Sequence, residues 1–135
     1  MAENNSGVVI PPQAAAVAPV ARARGARMAV LIGPAQGAPR FITRRFVLAP
    51  GARIPAHRHP ALEHEQVMVR GEMVLGLDAE VRTVRAGDAM YLPPGCAHWY
   101  ENRTAAEVEF LCIIPRTDGY DTEWLEEPPD GAFSG

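Results

Sequence analysis

Glycine and proline cut this chain into apolar runs too short for helices and well matched to strands. The breaks fall at Gly33-Pro34, Pro50-Gly51, Gly71, Gly87 and Pro93-Pro94-Gly95. Proline removes a backbone donor and fixes φ, and glycine supplies the left-handed turn conformations, so each break ends or redirects an element. Between them lie runs at 28–32, 41–48, 64–69, 73–77, 81–84, 89–92, 98–102 and 108–114. Nowhere does an amphipathic helical period last for about three turns. Many short strands separated by Gly/Pro turns predict an all-β sandwich or barrel. At 135 residues the chain has room for a single domain with one core.

Side-chain alternation assigns faces to two of these runs. In 41–48 the set Ile42, Arg44, Phe46 and Leu48 is more apolar than its alternate and is assigned to the interior. That choice carries Arg44 inward; the competing reading is an arginine that snorkels to solvent. In 108–114, Val108, Phe110, Cys112 and Ile114 share the inner face while Glu107 and Glu109 point to water. Leu111 and Ile113 then place apolar side chains on the outer face. An apolar outer patch fits a subunit contact or a covering segment, and together with the N-terminal arm it leads to the expectation of a two-fold homodimer.

The residues that carry chemistry are histidines. The chain has four, and three of them, His57, His59 and His64, fall between residues 57 and 64. Ile54-Pro55-Ala56 is extended, because proline excludes helix from the residue before it, so His57 and His59 lie two apart on one strand face. A corner at 60–62 leads into the run from His64. The fourth, His98, follows the Pro93-Pro94-Gly95 turn. Imidazoles gathered in this way suit one divalent transition ion, Mn, Fe, Ni, Cu or Zn, and not an oxygen-seeking ion such as Ca. Glu63 competes with His64 as the third ligand. Period 2 places His64 with Gln66 and sends Glu63 and Glu65 to the opposite face, which favours the histidine.

These residues form two motifs. Gly87, Pro93, Gly95, His98 and Asn102 match G-x5-P-x-G-x2-H-x3-N at every fixed position, and Gly51, His57, His59 and Gly71 match G-x5-H-x-H-x3,4-E-x6-G with His64 where the glutamate stands. The chain thus resembles the cupin superfamily over roughly residues 24–115. Within it, the chain looks most like the small single-domain members with four histidine ligands, several of which carry manganese. The resemblance implies a small β-barrel (double-stranded β-helix or jelly roll) and a mononuclear site of His57, His59, His64 and His98. It also implies one divalent metal per chain, with manganese the first expectation. An oxygen-using, dioxygenase-like oxidoreductase acting on a small anionic or enolic molecule is the expected activity. An isomerase or lyase, and a non-catalytic ligand-binding or metal-braced cupin, are the alternatives. With the motif glutamate replaced, no general base remains in the two motifs, which favours metal-centred chemistry. Around the metal, Arg44, Phe46, Tyr100, Phe110, Cys112 and Ile114 are candidate pocket residues. Cys112 has the competing role of a small buried hydrophobe. Cys96 belongs to a turn, and Trp99 points away from His98 and Tyr100.

Composition sets the outer limits. The net charge is −3, every basic side chain is arginine, and no basic stripe interleaved with aromatics appears, so nucleic acid is not an expected partner. Two cysteines without CxxC spacing give no disulfide framework and point to a reducing compartment. The Ala/Pro/Val run at 11–21 is preceded by Glu3 and by no basic residue, unlike a signal peptide. No apolar run nears the ~20 residues of a membrane span. A cytoplasmic protein is expected, without a membrane partner. Residues 1–23 read as an N-terminal arm, in which 8–10 could add a strand to the edge of a second subunit. Residues 116–135 read as an acidic tail, loosely packed or mobile.

Overall fold

The computed structural model describes residues 6–133 and is nearly all β, with no α-helix among the described residues. In chain order the strands are β1 (Val17–Pro19), β2 (Arg24–Ile32), β3 (Phe41–Arg58), β4 (His64–Arg70), β5 (Glu72–Leu77), β6 (Glu80–Arg85), β7 (Ala89–Leu92), β8 (His98–Glu101), β9 (Val108–Pro115) and β10 (Glu123–Trp124). They form one curled antiparallel sheet in the order β6-β5-β8-β3-β9-β4-β7, with β2 and β10 also on β3 and β1 on the outer edge of β2. The inner faces meet in a core that includes Leu48, Leu75, Leu92, Val108 and Phe110. Phe110 stacks on Phe46 and on Tyr100, with ring centroids 5.0 and 5.1 Å away. Ile42, Arg44 and Leu48 are buried, Phe46 is half-buried, and the alternate residues of that run lie closer to solvent.

One expected break is absent. Pro50-Gly51 reads as a strand end, yet β3 runs on through it and is 18 residues long in all. Gly51 takes the strain with φ +79°, and the chain changes partners at this bend. Before it β3 lies between β2 and β9; after it, Arg53, Ile54 and His57 pair with β8. Asn102 pins the bend. Its buried amide donates to the carbonyls of Leu48, Ala49 and Ala106, and its backbone carbonyl accepts from Gly51 N at 2.9 Å. A turn signal names a bend, and here tertiary partners on both sides keep the bent residues in the sheet.

The terminal segments also enter the sheet. Within the chain, the part of the N-terminal arm that pairs is β1, against β2, while Val9 is 90% exposed. In the tail, β10 pairs with Arg58 and His57 of β3, and Phe133 exchanges backbone hydrogen bonds with Arg22 and Ala23. No helix among the described residues is long and apolar enough to cross a membrane. Cys96 and Cys112 are both free and buried.

Candidate metal centre

The sheet brings four histidines from three strands to one cavity. His57 and His59 lie at the end of β3, His64 opens β4 and His98 opens β8. A register shift between Ile54 and His57 against β8 is what aims them. Pro55 cannot donate to the ladder, the strand bulges there, and Ile54 and His57 both face inward despite an odd spacing. His57 then sits opposite His98, with ring centroids 4.2 Å apart, and His59 lies 5.0 Å from His57. Ligand atoms of His57, His59 and His98 all fall within 4.8 Å of one another. His64 stands slightly apart from this compact trio, its ring 5.0 Å from His59 and 5.5 Å from His98. Glu63, the competing third ligand, is exposed on the other face and accepts a hydrogen bond from the Tyr91 hydroxyl at 2.9 Å.

The trio suits a divalent ion chemically as well as by distance. In each ring Nδ1 faces a backbone carbonyl: Pro55 at 2.7 Å for His57, Asp121 at 3.2 Å for His59 and Cys96 at 2.9 Å for His98. An Nδ1–H donating to such a carbonyl leaves Nε2 as the free donor atom and fixes the ring plane. Burial holds the imidazoles neutral, lowering His57 to about 4, His64 to about 3 and His98 to about 2, with His59 lowered for the same reason. Neutral, oriented imidazoles are the state in which histidine binds metal, so the three-histidine cluster is compatible with a transition-metal site.

A family model described as "Cupin domain" matches residues 44–114, from the buried arginine of β3 to the last core residue of β9. The chain is a cupin. A tetracenomycin polyketide synthase protein of Streptomyces glaucescens is 29% identical over 118 residues, covering 83% of this cupin and 79% of that protein. An uncharacterized protein of Methanocaldococcus jannaschii is 32% identical over 77 residues, 56% of this chain and 62% of that protein, so this match spans less than two thirds of the archaeal chain. Among solved structures, a polyketide cyclase of Streptomyces resistomycificus superposes with a TM-score of 0.81 at 22% identity, over 93% of this chain and 89% of that one. That likeness is one of fold.

The cavity, about 230 Å³, is walled on one side by the histidines and on the other by Arg44, Phe46, Gln66, Tyr100 and Cys112. Arg44 donates to Cys112 Sγ at 3.1 Å, and Gln66 Nε2 to the Tyr100 hydroxyl at 2.7 Å. Burial raises the Tyr100 phenol far above its ordinary value, so it stays neutral. Phe110 and Ile114, also expected at the pocket, are buried in the core behind it, where Phe110 backs both Phe46 and Tyr100. Trp99 lies on the outer face, with its indole against Gly76 and the Arg53 guanidinium over its ring.

Sequence reasoning missed the contribution of the tail. Tyr120, Thr122 and Trp124 line the cavity. Tyr120 accepts from Arg44 Nη1 at 2.9 Å, the Thr122 hydroxyl lies 3.1 Å from His59 Nδ1, and the Trp124 ring lies tilted against His57 with centroids 4.9 Å apart. Arg22, from the other terminus, covers the far side of Trp124. Tyr120 and Trp124, two of the three aromatics in the acidic tail, were the available signal, since aromatics dominate the burial such a strap can achieve.

Proposed function

We propose that this cupin is a metal-dependent enzyme in which His57, His59, His64 and His98 hold one divalent transition ion, manganese first among the candidates. We propose further that it acts on a small anionic or enolic molecule, such as a 1,3-dicarbonyl bound as its enolate. The observation that carries this reading is Arg44, a cation 7% exposed in the wall of the histidine cavity, with no carboxylate among the residues lining it. A buried charge costs several kcal/mol unless it is compensated. A guanidinium opposite a metal is the arrangement a bidentate or enolate oxygen ligand needs. Bound to the histidines, the ion would act as a Lewis acid that polarises a carbonyl oxygen. Arg44 would hold the second oxygen and offset the charge that develops on it, and the Phe46–Phe110 stack would keep water from that side.

For the reaction we favour non-oxidative chemistry at the carbonyl, of the lyase, isomerase or cyclase kind. The 29% identical polyketide synthase protein supports it, as does the free Cys112 thiol in the cavity wall, a group an oxygen-activating centre would put at risk. The oxygen-using oxidoreductase implied by the family resemblance is the second reading, supported by an all-imidazole donor set that suits iron and copper as well as manganese. The test begins with metal analysis of protein purified without added metal, followed by titration with acetylacetone. Binding that weakens several-fold in Arg44→Met at unchanged metal content is the expected result, and equal affinity removes the reading. Oxygen uptake during turnover would favour the second reading.

A further inference from the structure

Arg44 is a buried cation whose fork ends on a hydroxyl and a sulfur and on no carboxylate, Tyr120 Oη at 2.9 Å and Cys112 Sγ at 3.1 Å. Its Nε has no partner. The two acceptors differ in how they are held. Cys112 lies directly opposite Arg44 in the β3–β9 ladder, so its sulfur is fixed by the sheet. Tyr120 lies outside any strand, after Gly119, and is 43% exposed. Its ring meets the edge of His59 at 4.9 Å, which places the phenol between the histidine cluster and the guanidinium.

We propose that Tyr120 is the specificity-determining residue of this cavity: its hydroxyl occupies the place on Arg44 that a ligand's anionic oxygen takes, and a ligand binds by displacing it. The inference rests on the enolate reading above and adds the rule of admission. An enolate or carboxylate oxygen that replaces the Tyr120 hydroxyl brings an anionic acceptor to the guanidinium, and charge-assisted hydrogen bonds are roughly twice as strong as neutral ones. A neutral alcohol replaces like with like and still has to move the ring off His59. The site therefore rejects neutral hydroxyl ligands because Tyr120 already supplies what they offer.

The geometry lets the ring leave while the strap stays. Glu126 holds Arg53 at 2.7 Å and accepts from Ala56 N at 2.8 Å, and Leu125 N donates to Ala56 O at 2.9 Å. The Asp121 carbonyl and the Thr122 hydroxyl continue to orient His59. Rotation of the Tyr120 side chain alone enlarges a cavity of about 230 Å³. That volume lies below the roughly 300–1,000 Å³ common for sites that take drug-sized ligands.

The experiment compares metal-loaded wild type, Tyr120→Phe and Arg44→Met by calorimetric titration with acetylacetone, which binds as its enolate with the proton released to buffer, and with 2,4-pentanediol, which has no enolisable proton to lose. Tyr120→Phe removes the competing acceptor and is expected to bind acetylacetone about three- to tenfold more tightly, with pentanediol binding rising from undetectable. In protein labelled with 3-fluorotyrosine, the fluorine resonance absent from Tyr120→Phe is expected to shift when acetylacetone binds to the otherwise unmutated chain. Equal or weaker acetylacetone binding by Tyr120→Phe overturns the role of Tyr120 while leaving the enolate reading intact. Binding by neither wild type nor Tyr120→Phe overturns the enolate reading and this inference together.

Discussion

Replacing Arg44 by methionine should stabilise the protein while weakening its ligand binding. The guanidinium is 7% exposed and meets a hydroxyl and a sulfur in place of a carboxylate. The substitution gives up two hydrogen bonds, about 1 kcal/mol each in net terms. It also removes the desolvation cost of a buried cation, still several kcal/mol after relaxation. Methionine approximates the length and volume of the aliphatic stem and adapts to the Phe46 ring that the guanidinium now covers at 5.4 Å. The balance favours the variant by roughly 1–3 kcal/mol, in line with other replacements of buried charges by apolar residues. For a chain of this size that is an increase in melting temperature of about 3–10 °C, read by calorimetry on the metal-free form. Metal content should hold, since Arg44 opposes positive charge at the histidines. A variant that melts lower than wild type would refute the reasoning, because it would make Arg44 a structural brace satisfied by Tyr120 and Cys112.

Alanine at His57, His59, His64 or His98 should each lower metal occupancy, and Glu63→Ala should not; retained metal in His64→Ala with loss in Glu63→Ala would reverse the assignment. The metal-free protein should lose stability as pH falls from 6.5 towards 4. Unfolded histidines take up protons near 6.5, whereas burial keeps folded His57, His64 and His98 neutral down to about 4, 3 and 2. The unfolded state therefore binds more protons in that window and gains on the native state; urea midpoints that are equal at pH 7 and pH 5 would contradict it. Gly76→Ala should destabilise by about 1–3 kcal/mol, because a Cβ there would meet the Trp99 indole nitrogen at 1.9 Å; an unchanged melting temperature would mean that the indole swings clear. The half-buried Leu111 and Ile113, beside exposed Phe41 and Val67, lead us to expect a homodimer in light scattering, and monomer alone at micromolar concentration would remove that expectation.

What the sequence made legible was what depends on local period and spacing. Alternation alone put Ile42, Arg44 and Leu48 inside, strand spacing put His57 and His59 on one face, and the resemblance to the second cupin motif added His98. What stayed hidden depended on partners far along the chain. Nothing near Pro50-Gly51 signals that Asn102 holds the bend in the sheet, and nothing near Tyr120 or Trp124 names Arg44 or His57 as their neighbours. The bulge at Pro55 is an intermediate case. The proline was visible, but its effect on register appears only once β8 supplies the ladder it interrupts.

The long third strand also dictates an order of events during synthesis. β3 can pair with β2 as soon as both have emerged, but its other neighbours, β8, β9 and β10, are made later. Until residue 115 is available, much of an 18-residue strand presents unpaired backbone, the kind of edge that recruits other chains. The histidines follow the same schedule. His57 and His59 are made about forty residues before His98, and the carbonyl of Asp121 that steadies His59 comes later still. The cluster is thus completed only once the chain has been made through Thr122. A metal held by these histidines would load late, and a nascent chain stalled before its tail would carry the histidines without the contacts that orient them.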